Sequence, residues 1–348
     1  MLRTTLLLPW WTASLATGAK SFVDHPLIGS RRLNEAGLHT ARVRAAHALA
    51  ERRRRATAGR IRAEDREAFA RDGLVVRHDF LPPALFARLR EGLAAWRGPC
   101  RDMRQGDAVT RRFALDPALL GAVPELRALS RHPEWQGLIR HVSSFDAEPV
   151  AYVQTILARQ GAGAGGAAGG GSSDPQLRLH ADAFQPSAKA WLFLDDVAED
   201  EGPLTYVPGS HRLTPERLAW ERRMSLSAAQ AERLTARGSF RVTDEDLVAM
   251  RLPPPRRLAV PANTLVVADT FGFHARGPSA RPSRRTEVWA YSRHNPFVPW
   301  HAPDFAAIAA INERRVTAYW RGRDLLARWI GQPWRKAGNR GPFDTEPS

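Results

Sequence analysis

Short apolar runs, separated by glycine and proline, dominate the chain from about residue 149 onward. Most are rich in valine, leucine and aromatic residues, which is typical of buried β-strands. Strands are predicted at residues 150–157, 190–194, 204–207, 264–268 and 288–292. Several short strands with turns between them predict a β-sandwich or a barrel.

Other segments have the spacing of helices. Residues 81–96 are periodic in apolar residues, and Pro82 and Pro83 stand where the first turn of a helix tolerates proline. A short strand is predicted at residues 73–76, and further helices at residues 64–71, at about 215–236 and from residue 299 to the C-terminus.

Residues 33–49 are predicted to form an amphipathic helix. Leu38, Ala41, Ala45 and Leu49 fall near one face, and the arginines fall elsewhere. Two interpretations stay open, because this helix would suit either the surface of the protein core or the surface of a membrane. The pattern thus divides the chain into a basic extension (1–60), a central domain (61–297) and a helical tail packed on the barrel (298–348).

A glycine-rich segment interrupts the strands at residues 161–171, where seven of eleven residues are glycine. Such a segment cannot contribute to a packed core, so we expect a mobile loop. Neither a lysine nor the start of a helix follows it directly, which argues against a phosphate-binding loop.

The formal net charge is +15, and about half of it lies in residues 1–60, with eleven Lys/Arg and three Asp/Glu. Arginine supplies all but three of the 51 basic residues, and the lysines are Lys20, Lys189 and Lys336. The extension lacks the interleaved exposed aromatics of a single-strand nucleic-acid groove, which argues against a nucleic-acid partner. Peripheral contact with an anionic membrane through residues 1–60 is expected if the helix lies on a membrane, and a lipid or other small molecule would then be the substrate.

The N-terminal stretch Leu6-Leu7-Leu8-Pro9-Trp10-Trp11 is apolar but too short to span a bilayer, which needs about 20 residues. Arg3 before it and Ala19 after it would also suit a cleaved signal peptide. Cys100 is the only cysteine, so neither an intramolecular disulfide nor a cysteine-based metal cluster can form. This composition fits a reducing, cytoplasmic location, at most peripheral at the inner face of the membrane.

The strongest chemical signal is His180-Ala181-Asp182. In a strand, residues i and i+2 point to the same side, so one element can present an imidazole and a carboxylate to one metal ion. With a distant histidine they would form a 2-His-1-carboxylate set, which leaves three positions on iron(II) open. By spacing alone, a core histidine or a zinc ligand would fit the same residues.

A second signal lies almost one hundred residues downstream, where an apolar strand ends at His274. His211 is a rival third ligand, although it follows a Pro-Gly-Ser turn. An arginine inside a barrel would be a bidentate partner for the distal carboxylate of 2-oxoglutarate. The arginines that follow His274 are Arg276, Arg281, Arg284 and Arg285.

Three segments of the chain occur together in a known family. They are residues 69–82, the His180-Ala181-Asp182 motif, and a long block at 192–211 that ends in Val207-Pro208-Gly209-Ser210-His211. From about residue 69 to residue 296 the chain therefore resembles the phytanoyl-CoA dioxygenase family. The resemblance implies a double-stranded β-helix (a jelly-roll, cupin-like barrel) with flanking helices, and an oxygenase that uses iron(II), 2-oxoglutarate and O2.

The resemblance also implies roles for individual residues. The implied iron ligands, which are the catalytic residues, are His180, Asp182 and His274. The implied 2-oxoglutarate residues are Arg285, Gln154 and Trp191. Relatives often have a small hydroxyl residue where this chain has Arg276, and this departure leaves Arg284 as an alternative to Arg285.

Asp182 favours hydroxylation as the outcome, because halogenating relatives have alanine or glycine at that position. The expected function is hydroxylation of an unactivated C–H bond in a substrate that the sequence does not identify. Two rivals are a metal-dependent hydrolase on the same barrel and a non-catalytic basic protein that binds membrane or nucleic acid. Consumption of 2-oxoglutarate separates the first interpretation from both rivals.

Overall fold

The core of the protein is β-structure, in a computed structural model that describes residues 8–158, 174–299 and 304–345. Its strands are β1 (Leu74–Arg77), β2 (Gly98–Gln105), β3 (Ala108–Ala114), β4 (Val150–Ala158), β5 (Ala188–Phe193), β6 (Leu204–Tyr206), β7 (Arg256–Leu258), β8 (Thr264–Asp269), β9 (His274–Arg276), β10 (Ser283–Ser292) and β11 (Arg335–Arg340). Eight of them form an antiparallel sheet in the order β1-β8-β5-β10-β4-β3-β2-β11, and the others form the sheet β7-β6-β9. The predicted mainly-β jelly-roll class with flanking helices is confirmed.

Alternation along the strands creates two cores, because successive side chains point to opposite faces of the sheet. Val288 and Leu192 face a core under the helices, whereas their neighbours Trp289 and Trp191 face an inner core between the two sheets. The inner core also contains residues from the small sheet, such as Tyr206 of β6. The candidate site lies on this inner side.

Helices flank the large sheet, and further helices lie near both ends of the chain. Their bounds are α1 (Leu8–Ser14), α2 (Arg31–Glu35), α3 (Leu38–Thr57), α4 (Ala63–Asp72), α5 (Pro83–Ala95), α6 (Pro117–Ala122), α7 (Glu125–Ser130), α8 (Pro133–Ser143), α9 (Pro215–Ser227), α10 (Arg233–Ala236), α11 (Asp244–Ala249), α12 (Ala309–Leu325) and α13 (Ala327–Ile330). None of the described helices is long and apolar enough to cross a membrane.

The helix predicted at residues 33–49 is divided into α2 and α3, and the face that packs on the protein differs from the predicted apolar face. Gly37 adopts a left-handed φ of 96° between α2 and α3, a conformation that glycine reaches without strain. Ala41 and Ala45 of the predicted apolar face are exposed, whereas Arg42 and Val43 are buried. Helix α3 packs on α8 and α9, so its inward face is set by these contacts and not by apolar periodicity alone.

Strands β2 and β3 were not predicted, because charged residues interrupt their apolar pattern. Arg111 of β3 is fully buried and donates from Nε and Nη2 to both carboxylate oxygens of Asp102 on β2, at 2.9 Å each. A bidentate pair of this kind lets two neighbouring strands bury opposite charges together.

The C-terminal tail is only partly helical. Residues 335–340 form β11, which pairs with β2, so the prediction of helix to the end of the chain was wrong. Trp320 and Val316 of α12 belong to the inner core, and Asp324 of that helix pairs with Arg101 of β2 at 2.5 Å. The glycine-rich segment 161–171 lies outside the described residues.

Candidate metal centre and active-site cavity

Backbone pairing brings the two predicted metal-binding segments together. His180 and His274 form an isolated antiparallel bridge in which each backbone N–H donates to the carbonyl of the other at 3.0 Å. Their ring centroids are consequently 4.6 Å apart. Only His180 of residues 180–182 takes part in this bridge, and the regular strand that was predicted there does not form, but the side chains of His180 and Asp182 still lie close together.

The side-chain atoms of His180, Asp182 and His274 converge. The Nε2 atoms of both histidines lie 3.6 Å from Oδ1 of Asp182, and the three potential ligand atoms all lie within 4.8 Å of one another. Both histidines are nearly inaccessible, and the Asp182 side chain is 21% exposed. The site is therefore buried on the protein side and open on the side of the carboxylate.

The orientation of both imidazoles is fixed by the protein backbone. Nδ1 of His180 lies 2.8 Å from the carbonyl of Arg178, and Nδ1 of His274 lies 3.0 Å from that of Gly272. A carbonyl only accepts, so both Nδ1 atoms donate, and both Nε2 lone pairs are directed at the space beside Asp182. Metal-binding histidines are typically held in this way by a second hydrogen bond.

The electrostatics of the three residues also suit a metal ion. Burial, together with the adjacent His274, lowers the pKa of His180 well below its ordinary value, so this imidazole is neutral. Burial would raise the pKa of Asp182, but Lys189 and the two histidines outweigh it and hold the pKa well below its ordinary value. Two imidazole nitrogens and an ionised oxygen are the donor set of a 2-His-1-carboxylate site.

A cation of the protein itself contacts this donor set. Nζ of Lys189 lies 2.6 Å from Oδ2 of Asp182 and 3.4 Å from Nε2 of His274. The ammonium group thus stands where the donor set attracts positive charge, which is a direct indication that the three residues fit a metal ion.

The segment before His274 is held from several sides. Tyr206 donates to the carbonyl of Asp269, and its hydroxyl lies so close to Gly272 that a Cβ on Gly272 would overlap it. Asp269 is fully buried and accepts hydrogen bonds from the backbone N–H of Ser187, at 3.1 Å, and from Nη2 of Arg54 in α3, at 3.0 Å. The N-terminal helix therefore helps to fix the loop that carries the distal histidine.

A cavity of about 210 Å³ lies next to the three residues, and His274 and Lys189 form part of its wall. Across three strands its wall carries a hydrogen-bonded row, in which Nε of Arg112 donates to Gln154 at 2.7 Å and Gln154 donates to Glu287 at 2.6 Å. Register places the three residues side by side on β3, β4 and β10. Trp191 and Trp289 form an aromatic part of the same wall.

The two alternative co-substrate arginines point to opposite faces of β10. Arg285 lines the cavity, donates from Nε to Glu287 at 3.1 Å and from Nη1 to the carbonyl of Gly202 at 2.6 Å. Arg284 instead contacts the carbonyl of Phe343 and Asp195 on the other side. Burial raises the pKa of Glu287, although Arg285 opposes this effect.

The remaining predicted residues are also placed by the structure. Arg276 lines the cavity and pairs with Asp174 at 2.7 Å, whereas Arg281 pairs with Asp200 at the surface. His211 is packed against Phe69 and, within the described part of the chain, does not belong to the cluster of potential metal ligands.

A sequence model of the phytanoyl-CoA dioxygenase family matches residues 69–245, just over half of the 348-residue chain. The chain belongs to the phytanoyl-CoA dioxygenase family. This family member is accordingly a non-haem iron oxygenase that uses 2-oxoglutarate and O2. His274 and Arg285 lie beyond the matched range. No curated protein matches the chain significantly.

Several solved structures are similar to the chain. They include the α-ketoglutarate-dependent carbocyclase SnoK from nogalamycin biosynthesis (17% identity, 68% of this chain and 84% of that chain, TM-score 0.41), HygX from Streptomyces hygroscopicus with nickel and 2-oxoglutarate (17%, 67% and 87%, 0.42) and EctD from S. alaskensis with iron (16%, 67% and 77%, 0.39). Similarity at this level does not bear on the substrate or on individual residues of this phytanoyl-CoA dioxygenase family member.

Two cavity residues of this family member had no signal in the sequence analysis. Arg112 is stacked against Trp289, with its Cζ 4.1 Å from the ring centroid, and Lys189 contacts the potential metal ligands. Arg112 lies on a strand that was not predicted. Lys189 directly precedes the strand predicted at residues 190–194, and no motif surrounds it. Side chains alternate between the two faces of a strand, so Lys189 and Trp191 of β5 point to the same face. Since Trp191 was a predicted cavity residue, this alternation could have placed Lys189 in the cavity as well.

Proposed function

We propose that this enzyme hydroxylates an unactivated C–H bond of a small-molecule substrate at an iron(II) ion held by His180, Asp182 and His274. The observation that carries the proposal is the convergence of two imidazole Nε2 atoms and one ionised carboxylate at the wall of a polar cavity. Iron bound by these residues would supply the oxidising chemistry, driven by the decarboxylation of 2-oxoglutarate. The carboxylate of Asp182 occupies the position that a halogenase leaves open, which favours hydroxylation.

The chain's own residues would position the co-substrate and exclude water. Arg285 supplies a buried guanidinium for the distal carboxylate, and in the described part of the chain no hydrogen bond uses its Nη2. Gln154 holds Glu287, which in turn orients Arg285. Trp191 gives the cavity a rigid apolar wall.

Anaerobic titration with iron(II) and 2-oxoglutarate tests the proposal directly. We expect a weak visible charge-transfer band that requires both components, followed by succinate formation when oxygen is admitted. A metal-dependent hydrolase or a non-catalytic binding protein would give neither signal.

Arg285→Ala is expected to raise the half-saturating concentration of 2-oxoglutarate by about 30-fold or more, because truncating one partner of a buried charge pair costs about 2–5 kcal/mol. Initial rates of succinate formation against 2-oxoglutarate concentration measure the effect. Arg284→Ala is the matched control, since Arg284 points to the opposite face and should leave this concentration nearly unchanged. A large effect in the control, with little in Arg285→Ala, would assign the role to Arg284.

We also propose that α1 supplies the apolar part of a membrane contact by residues 1–60, beside the exposed arginines Arg44, Arg52 and Arg55 of α3. Leu8 and Trp10 are 49% and 66% exposed in α1, whereas α3 packs on the core and buries three of its arginines. The intact protein is expected to co-sediment with anionic but not with neutral vesicles, and the double variant Leu8→Ser/Trp10→Ser to lose this binding. Unchanged sedimentation of the variant would contradict the proposal. Deletion of residues 1–60 is not a suitable test, because it removes α3 as well.

A further inference from the structure

Lysine is rare in this chain, and two of the three lysines contact one residue. Lys189 pairs with the carboxylate of Asp182 at 2.6 Å, and Nζ of Lys20 donates to the backbone carbonyl of Asp182. The third lysine, Lys336, is 78% exposed and lies on β11. In a chain that otherwise uses arginine, two compact ammonium groups at the proposed iron ligand indicate a specific requirement.

Lys189 would have to share its partner once Asp182 binds a metal ion, because Oδ1 faces the two Nε2 atoms and Oδ2 faces Nζ of Lys189. The charge of the carboxylate would then be divided between the metal and Nζ, so the ammonium group would be only partly neutralised. Lys189 belongs to the cavity wall, so its ammonium group would stay in the cavity and near the metal. Two carboxylates behind this wall already pair with its arginines, Glu287 with Arg285 and Asp174 with Arg276.

The charges of the cavity are therefore unbalanced in the loaded enzyme. Four cationic side chains line it, namely Arg112, Lys189, Arg276 and Arg285, and three carboxylates contact them, those of Asp174, Asp182 and Glu287. Iron(II) and doubly charged 2-oxoglutarate add equal and opposite charges. At least one buried positive charge is then left without a counter-charge, which is costly in a cavity of low dielectric constant.

We propose that Lys189 binds an anionic group of the oxidised substrate, and that this group is a carboxylate. The inference rests on the proposed function, in which one 2-oxoglutarate carboxylate is at the metal and the other at Arg285. The contact of Nζ with Asp182 and His274 places the substrate carboxylate close to the metal. The reacting carbon is accordingly within a few bonds of the acid group, and the substrate is a small organic acid.

Binding of simple monoanions to the anaerobic holoenzyme tests this. The protein is loaded with iron(II) and 2-oxoglutarate and titrated with straight-chain carboxylates from acetate to octanoate, with butanamide as the neutral analogue and methyl phosphate as the alternative anion. The charge-transfer band and the fluorescence of the cavity tryptophans report binding without turnover. We expect at least one carboxylate to bind, and neither the amide nor the phosphate to do so.

Variants attribute the binding to Lys189. Lys189→Met should weaken carboxylate binding by about 30-fold or more, as expected for loss of one partner of a buried charge pair, and leave the affinity for 2-oxoglutarate unchanged. Lys189→Arg should retain binding, and Lys336→Met, at the exposed lysine, should match the wild type. In the metal-free protein, Mn(II) alone should bind Lys189→Met about tenfold more tightly, because no ammonium group competes for Asp182.

The possible failures are distinguishable. If the charge-transfer band never forms in the wild type, the proposed function fails. If the band forms but no carboxylate binds, or if Lys189→Met binds carboxylates as the wild type does, only the present inference is overturned. A weakened affinity for 2-oxoglutarate in Lys189→Met would also overturn it, since Lys189 would then serve the co-substrate. Binding of methyl phosphate in preference to carboxylates would overturn the assignment of a carboxylate.

Discussion

Alanine substitution of His180, Asp182 or His274 is expected to abolish iron binding and to reduce succinate formation by roughly a thousandfold or more. A metal ion at such a site contributes several kcal/mol to transition-state stabilisation, and about 1.4 kcal/mol corresponds to tenfold. Each substitution removes one of the three converging ligand atoms, and in a site built around a carboxylate the two remaining ligands would bind iron(II) much more weakly.

Metal content by elemental analysis and succinate formation from 2-oxoglutarate measure these effects. His78→Ala is a suitable control, because His78 hydrogen-bonds to Thr264 on β8 and is absent from the cluster. Circular dichroism should show that each variant folds. Full iron occupancy and turnover in His274→Ala would remove His274 from the ligand set.

Arg54→Met is expected to lower the free energy of unfolding by about 3–5 kcal/mol, although its position lies in a run of four arginines at residues 52–55. Nη2 of Arg54 pairs with Asp269 at 3.0 Å, and both side chains are buried. Removal of the guanidinium leaves the carboxylate of Asp269 without its charged partner in the interior. It also removes hydrogen bonds to the carbonyls of His141 and Val142.

Chemical denaturation of Arg54→Met and Arg55→Ala gives a matched comparison. Arg55 is the adjacent residue of the same run and is exposed, so its removal should change stability by no more than about 0.5 kcal/mol. Equal effects of the two substitutions would show that the pair with Asp269 does not stabilise the fold.

Strands β4, β5, β6, β8 and β10 could be predicted because their buried residues are apolar and closely spaced in the sequence. Strands β2 and β3 could not, since the opposite charges of Asp102 and Arg111 become compatible with burial only after the strands pair. The inward face of α3 was wrong by about one position for a similar reason. Arg53 and Arg54 face inward because their partners, Ser144 and Asp269, lie far along the chain.

In the candidate site, too, local sequence signals could be predicted and distant contacts could not. The spacing of His180 and Asp182 is a local signal that made both residues candidate ligands, whereas His274 was implied by the family resemblance, and the structure brings potential ligand atoms of all three within 4.8 Å of one another. The roles of Lys189 and Arg112 depend on contacts with residues on other strands. Their distances to those residues cannot be read from a single sequence. The choice between Arg284 and Arg285 likewise depended on which face of β10 is directed inward.

The pairing of Arg54 with Asp269 determines when the metal site can be completed during synthesis. The two residues are separated by 215 positions, which the ribosome translates in roughly 10–40 s at about 5–20 residues per second. Until Asp269 has emerged, the nascent helix α3 carries guanidinium groups whose carboxylate partner does not yet exist, and the His274 segment has not been made. The proposed metal site, which includes His274, can therefore be completed only late in the synthesis of the chain, after the carboxylate partner of Arg54 has been made.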